Sequence, residues 1–186
     1  MNTPLRLTSL RTLVAIFGAA LLLSPACGTT NSGAGGTGKS SSKSSLPTFV
    51  ATDLSGDDFD LSTHLGRDVV LISFWATYCE PCKTEMPVLQ KMHDAYAAKG
   101  LKILSVSLDN ADSMAGVKPY IKTNGYTFTV VIDEDTTIAN AYNPRLTAPF
   151  TILIDRKGAI YKKIEGFQLS EAEHLENEVK SLLAKN

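Results

Sequence analysis

Ser73-Phe74-Trp75-Ala76-Thr77-Tyr78-Cys79-Glu80-Pro81-Cys82-Lys83-Thr84-Glu85-Met86-Pro87 is the stretch that decides the reading of this chain. It follows and completes an apolar run, Val69–Trp75, of the kind that forms a buried strand. A short loop comes next, and from Cys79 the sequence reads as a helix that runs to about Lys99 and stops at Gly100. Cys79 therefore sits where a helix begins. Helix N-termini carry unpaired N–H groups and a partial positive charge, which favour a thiolate over a thiol. Cys79 is the better nucleophile, and Cys82, three residues on, faces back toward it from the first turn. A mixed disulfide on Cys79 can then be resolved by Cys82. Pro81 suits the first turn, where its missing N–H would be unpaired anyway.

Working outward, further apolar runs at 101–108, 128–132, Phe150–Ile154 and 160–164 read as strands, the last after a turn at Lys157-Gly158. Residues 49–53 and 59–61 bracket Ser55-Gly56-Asp57 and read as a hairpin. Helical patterns fall at 113–123, at 136–142 and at 170–184. The last opens with Ser170-x-x-Glu173, a capping-box pattern, and presents Ala172, Leu175, Val179, Leu182 and Leu183 on one face. Strands alternating with helices predict an α/β domain with helices on both faces of a central sheet.

The beginning of the chain reads differently. Arg6 and Arg11 precede an apolar run from Leu13 to Leu23, and Ser24, Pro25 and Ala26 supply small residues for cleavage, so residues 1–26 read as a secretory signal. Leu-Ser-Pro-Ala-Cys, ending at Cys27, resembles a bacterial lipobox, in which the cysteine is lipidated and becomes the first residue. Ser24 stands where that motif usually has a branched apolar residue. Residues 27–45 are then a lipidated cysteine and a Gly/Ser linker, a composition that cannot bury a core. Residues 33–40 (GAGGTGKS) fit the G-x-x-x-x-G-K-S phosphate-loop pattern. That pattern needs a strand before it and a helix after it, and neither is present in the sequence. Residues 46–186 form the folded domain.

Composition narrows the function classes. Hydrophobic residues make up 44% of the 186, enough for a core, and 18 Lys and Arg against 19 Asp and Glu leave a formal charge of −1. Such a balance gives no footprint for nucleic acid. Three cysteines are too few for a disulfide-stapled scaffold. A Cys-x-x-Cys pair also occurs in zinc sites, but those need a second pair or histidines at set spacing, and His64, His93 and His174 are scattered.

Phe59-Asp60-Leu61-Ser62, Leu65-Gly66-Arg67, Phe74-Trp75-Ala76-Thr77, Cys79-Glu80-Pro81-Cys82, Glu85, Pro87, Ala148-Pro149-Phe150 and Ile152-Leu153-Ile154-Asp155 follow one another in an order that resembles the thioredoxin superfamily. Within it, the sequence is similar to the TlpA/ResA-like thiol-disulfide oxidoreductases of bacterial envelopes. The resemblance implies a thioredoxin-like fold, a central mixed sheet with helices on both faces and an N-terminal β-hairpin. It implies a redox disulfide between Cys79 and Cys82, with Glu85 influencing cysteine ionisation and Pro149 matching the family's cis-proline. Trp75, Tyr78, Glu80, Pro81, Ala148 and Pro149 would face the substrate, although packing beneath the site is the first reading for Trp75. Thioredoxins proper carry a buried aspartate where this chain has Ser73, so the base for the second cysteine falls to Glu85 or water. Tyr78 replaces the usual tryptophan before the first cysteine.

No cofactor and no metal follow from this reading. The partners implied are exported thiol or disulfide proteins, apocytochrome c among them, and a membrane thiol carrier as electron donor, with the membrane engaged through a lipid on Cys27. The place implied is the bacterial cell envelope, the domain standing in the periplasm or otherwise outside the cytoplasmic membrane. Two alternatives stay open. A copper carrier would use the two thiolates as soft ligands. A thiol peroxidase of the same superfold would carry P-x-x-x-T-x-x-C, and no proline lies between Ile72 and Cys79. Asp109, Asp133 and Asp155 read as turn-starting residues at strand ends, and Met86 and Met92 as core fillers.

Overall fold

Val69–Trp75 forms β3, the central strand of a computed structural model that describes residues 46–185. The expectations for residues 1–26, Cys27, the linker and the 33–40 pattern lie outside the described residues. All seven residues of β3 are buried, as its apolar run predicts for a strand covered on both faces. β4 (Leu101–Ser107) pairs with it in parallel, and β6 (Phe150–Ile154) pairs antiparallel on its other side. β5 (Thr129–Ile132) and β7 (Ile160–Glu165) complete a mixed sheet in the order β5-β4-β3-β6-β7. β7 alternates between half-buried and exposed residues, as an outer strand with one wet face does.

The pleat sorts β3 into two sets. Val69, Leu71 and Trp75 face α1 (Glu80–Tyr96), α2 (Val117–Asn124) and α4 (Ala172–Leu183), meeting Met86, Leu89, Val117, Ile121, Leu175 and Val179. Val70, Ile72 and Phe74 face the other way, against α3 (Thr137–Tyr142) and a separate hairpin of β1 (Val50–Thr52) and β2 (Asp58–Asp60). Each fully buried Leu, Ile or Met in these layers contributes about 1.5–3 kcal/mol through removal from water. The hairpin turn is closed by the Asp53 carboxylate, which accepts from the N–H groups of Ser55, Gly56 and Asp57 at 2.8, 3.0 and 3.1 Å. Gly56 takes φ +97° there, a conformation open to glycine at no steric cost.

Two local expectations are corrected. The Ser170–Glu173 capping box does not form. A 3-10 turn at Leu169–Glu171 precedes α4, so Ser170 lies within that turn, Glu171 takes the N-cap position, and no side chain caps the helix. The helix expected over 113–123 divides into a 3-10 turn, Met114–Gly116, and α2. Pro119 explains where the α-helix starts: it occupies the first turn, where no intrahelical N–H bond is lost.

Candidate active site

The site lies where β3 leaves the sheet and α1 begins. Cys79 is the N-cap of α1 and has extended backbone, with its N–H donating to the carbonyl of Ala76 at 3.0 Å. Its sulfur accepts from the N–H of Cys82 at 3.3 Å, so it occupies the place that a capping oxygen fills in other helices. Cys79 and Cys82 are joined as a disulfide. Their environments differ. Cys82 is wholly buried among Met86, Leu89 and Trp75, whereas Cys79 is only partly covered. The accessible sulfur is thus also the one at the helix N-terminus, where a thiolate is best stabilised.

Glu85 follows one turn after Cys82 and is buried, 2% exposed. Neighbouring strands hold it. Ser73 on β3 donates to Oε2 at 2.9 Å and Thr151 on β6 donates to Oε1 at 2.7 Å. Ser73 and Thr151 are direct partners in the antiparallel register, so both hydroxyls come from one rung of the sheet. No salt bridge to Glu85 is formed among the described residues. Burial pushes its carboxyl above the usual carboxylate range, against the lowering effect of the Thr151 and Ser73 bonds. Glu85 also borders a cleft of about 150 Å³ lined by Ile164, Phe167, His174 and Leu175.

A second acid stands at the end of β4. Asp109 is 1% exposed and accepts from the Thr77 N–H at 2.9 Å, from the Thr77 hydroxyl, and from the Ser107 hydroxyl at 2.8 Å. Burial acts to raise its pKa, but the bonds from Thr77 and Ser107 outweigh it and hold the carboxyl below the usual range. Asp109 therefore fixes, as an anion, the loop that leads into Cys79. The sequence reading took it for a turn-starting residue. A signal was available in the parallel ends of two buried strands, since Trp75 pairs with Ser107 and the residues that follow each strand must meet.

A groove of about 560 Å³ runs beside Cys79, lined by Tyr78, Cys79, Glu80, Pro81, Leu108, Thr136, Leu146 and Ala148. Five of the expected site residues thus share one surface. Tyr78 projects into solvent and Glu80 is paired with Lys83 at 2.7 Å. Trp75 is not part of that surface. It is fully buried with its ring 5.4 Å from that of Tyr120, so it packs beneath the site and cannot face a substrate. Pro149 is buried too, and the Ala148–Pro149 bond is cis. Leu108, Thr136 and Leu146 were not expected, because three separate loops bring them to the groove. Among the described residues no group of three or more His, Cys, Asp or Glu converges as a metal site.

The sequence profile of the AhpC/TSA family matches residues 43–163. The chain is 37% identical over 136 residues to the thiol-disulfide oxidoreductase ResA of Geobacillus kaustophilus, covering 72% of this chain and 76% of that one. It is 34% identical over 123 residues to the thiol-disulfide oxidoreductase ResA of Bacillus subtilis, covering 66% of each. Among solved structures, StoA from Bacillus subtilis superposes with a TM-score of 0.60 at 28% identity, over 71% of this chain and 96% of that one.

Proposed function

We propose, since the chain belongs to the AhpC/TSA family and is a thiol-disulfide oxidoreductase of thioredoxin-like fold, that it reduces disulfides in exported proteins of the bacterial cell envelope. Cys79 is the attacking sulfur and Cys82 the resolving one. The Cys79 thiolate attacks one sulfur of the partner's disulfide. A bond forms to that sulfur, and the partner's other sulfur leaves as a thiolate and takes a proton. Cys82 then gives its proton to the Glu85 carboxylate and attacks the Cys79 sulfur. The partner's first sulfur leaves in turn as a thiolate and is protonated. Two electrons have passed to the partner, and the Cys79–Cys82 disulfide remains. A membrane thiol carrier restores the dithiol by the reverse exchange.

The observation that carries the direction is Glu85. Its burial outweighs the two hydroxyls donated to it and disfavours negative charge behind Cys82, and burial of the Cys82 sulfur disfavours a thiolate there for the same reason. With the Cys82 thiolate disfavoured, the reduced pair gains thiolate stabilisation at Cys79 alone, which moves the balance toward the disulfide and so toward a reductant. The resemblance adds the context: a signal at 1–26, a lipid on Cys27, a linker to residue 45, and a domain outside the cytoplasmic membrane. Apocytochrome c, whose haem-binding cysteines must be thiols, fits the partner class. Thiol peroxidase chemistry is less well served, because Ala76 stands three residues before Cys79, where its pattern needs threonine.

The test is the reduction potential of the purified chain, equilibrated in thiol/disulfide buffers. A value at or below about −270 mV, that of thioredoxin, is expected. A value near about −120 mV would assign the opposite direction of electron flow.

A further inference from the structure

We infer that Leu146 is a specificity-determining residue for the exchange, forming with Tyr78 an apolar clamp beside Cys79 that takes an apolar side chain next to the partner's cysteine. The inference rests on the thiol-exchange reading and deepens it.

The observation is a double misfit. Leu146 has φ +51°, in the left-handed region that glycine and asparagine enter easily and leucine does not. Its side chain is also 49% exposed, so it is not placed there to fill the core. A residue that is ill suited both to its backbone and to solvent, and that lines the groove of the reactive sulfur, is the kind of outlier that marks a functional constraint. The position is not a loose loop end. The Leu146 N–H donates to the Asn143 carbonyl at 2.8 Å. Asn143, itself 2% exposed, donates through Nδ2 to the Thr147 carbonyl at 2.8 Å and accepts the Thr147 N–H at 3.1 Å. The two residues that flank the turn thus lock Leu146 outward. Thr136, the other non-glycine residue with positive φ among the described residues, lines the same groove.

The occupant follows from what the groove contains. A partner's sulfur must reach Cys79, so this surface is continuous with the contact that the exchange itself requires. Tyr78, 68% exposed, and Leu146 give it apolar walls. Glu80, the groove's charged residue, is paired with Lys83. An extended protein segment with an uncharged, apolar residue beside its cysteine matches those walls, and a charged or small polar neighbour does not.

The test uses the full chain, reduced and freed of reductant, and follows its oxidation by the fluorescence of Trp75. The substrates are two disulfide-bridged peptides that differ only in having leucine or serine beside each cysteine, with 2-hydroxyethyl disulfide as a third. The wild-type chain is expected to react about tenfold faster with the leucine peptide. In L146G and L146N that ratio falls close to one, L146M keeps it, and Tm of L146G is at or above the wild-type value because the backbone misfit is relieved. A ratio in L146G and L146N that stays at the wild-type value overturns the inference, as does a lowered Tm in L146G, which would assign Leu146 to holding the fold. If the wild-type chain reacts with 2-hydroxyethyl disulfide but does not distinguish the peptides, the inference falls and the exchange reading stands. Failure to react with any of the three removes both.

Discussion

Glu85, one turn past Cys82, and Asp109, bonded to Thr77 two residues before Cys79, are carboxylic acids of similar exposure, 2% and 1%, and they are held in opposite states. Glu85 is pushed toward its neutral form and Asp109 toward its ionised one. Exposure of the side chain therefore does not decide the matter. Glu85 is on the buried face of α1 with its carboxyl against β3 and β6, where desolvation is heaviest, and receives two hydroxyls that can accept as well as donate. Asp109 lies at the end of β4 and receives a backbone N–H, which can only donate, together with two hydroxyls. The difference divides the labour. A carboxyl poised to gain or lose a proton can serve Cys82 as a base, while a fixed anion can hold the Thr77 loop and set the field around Cys79 but cannot turn over.

The largest effect is expected from making Glu85 permanently neutral. E85Q keeps the shape and removes the base, so resolution by Cys82 should slow by about 10²-fold at neutral pH. The decay of a mixed disulfide with a small thiol, followed after rapid mixing, measures that step. Stability should move the other way. A carboxyl whose folded pKa is raised contributes most below its unfolded value of about 4.3, and that contribution is lost as pH rises through the folded value. E85Q should therefore match the wild-type chain at acid pH and exceed it at pH 7 to 8 in urea titrations of the oxidised protein. A destabilisation that is full at pH 7 and shrinks in acid would mean that Glu85 is an ionised anchor, and the contrast with Asp109 would collapse.

D109N should show the opposite sign. Asparagine turns an N–H₂ toward donors that a carboxylate accepts, leaving at least one of them unpaired, at a cost of about 1–3 kcal/mol. Because the folded pKa of Asp109 is lowered, its contribution is present above about 3.9 and is lost as pH falls through the folded value. The deficit of D109N should therefore be full at pH 7 and shrink in acid, the reverse of the E85Q profile. Loss of the anion should also ease thiolate formation on Cys79, shifting the pH profile of its alkylation toward lower pH. An unchanged alkylation profile beside a full stability loss would leave Asp109 with geometry alone.

What could be read in advance follows the range of the interactions. The burial of Val69–Trp75, the helix start at Cys79 and the core places of Met86 and Met92 are local patterns, and the structure has them. Glu85 could be placed one turn past Cys82, but not its donors. Thr151 lies 66 residues away, and its hydroxyl arrives through the register of β3 with β6, which no local pattern encodes. Asp109 reaches Thr77 across 32 residues for the same reason. Ser170 failed in the other direction: its motif was present, but a 3-10 turn had already begun at Leu169.

The smallest effect is also the most discriminating test of the Glu85 environment. S73A removes one of the two hydroxyls that favour the charged form of Glu85, so its carboxyl should rise further above the usual range. The protonated carboxyl can still bond to the Thr151 oxygen, which accepts as readily as it donates. The stability cost should accordingly stay within about 0.5–1.5 kcal/mol, that of one ordinary hydrogen bond. The kinetic trace should be clearer than the energetic one. The pH at which resolution by Cys82 reaches half its maximal rate should move upward, with the plateau little changed, because fewer Glu85 side chains are ionised at a given pH but each ionised one is as competent as before. In the E85Q background the same substitution should leave the pH profile where it is, since no titrating carboxyl remains for Ser73 to influence. A shift of equal size in both backgrounds would show that Ser73 acts on Cys82 without Glu85, and the proton would then have to leave by another route.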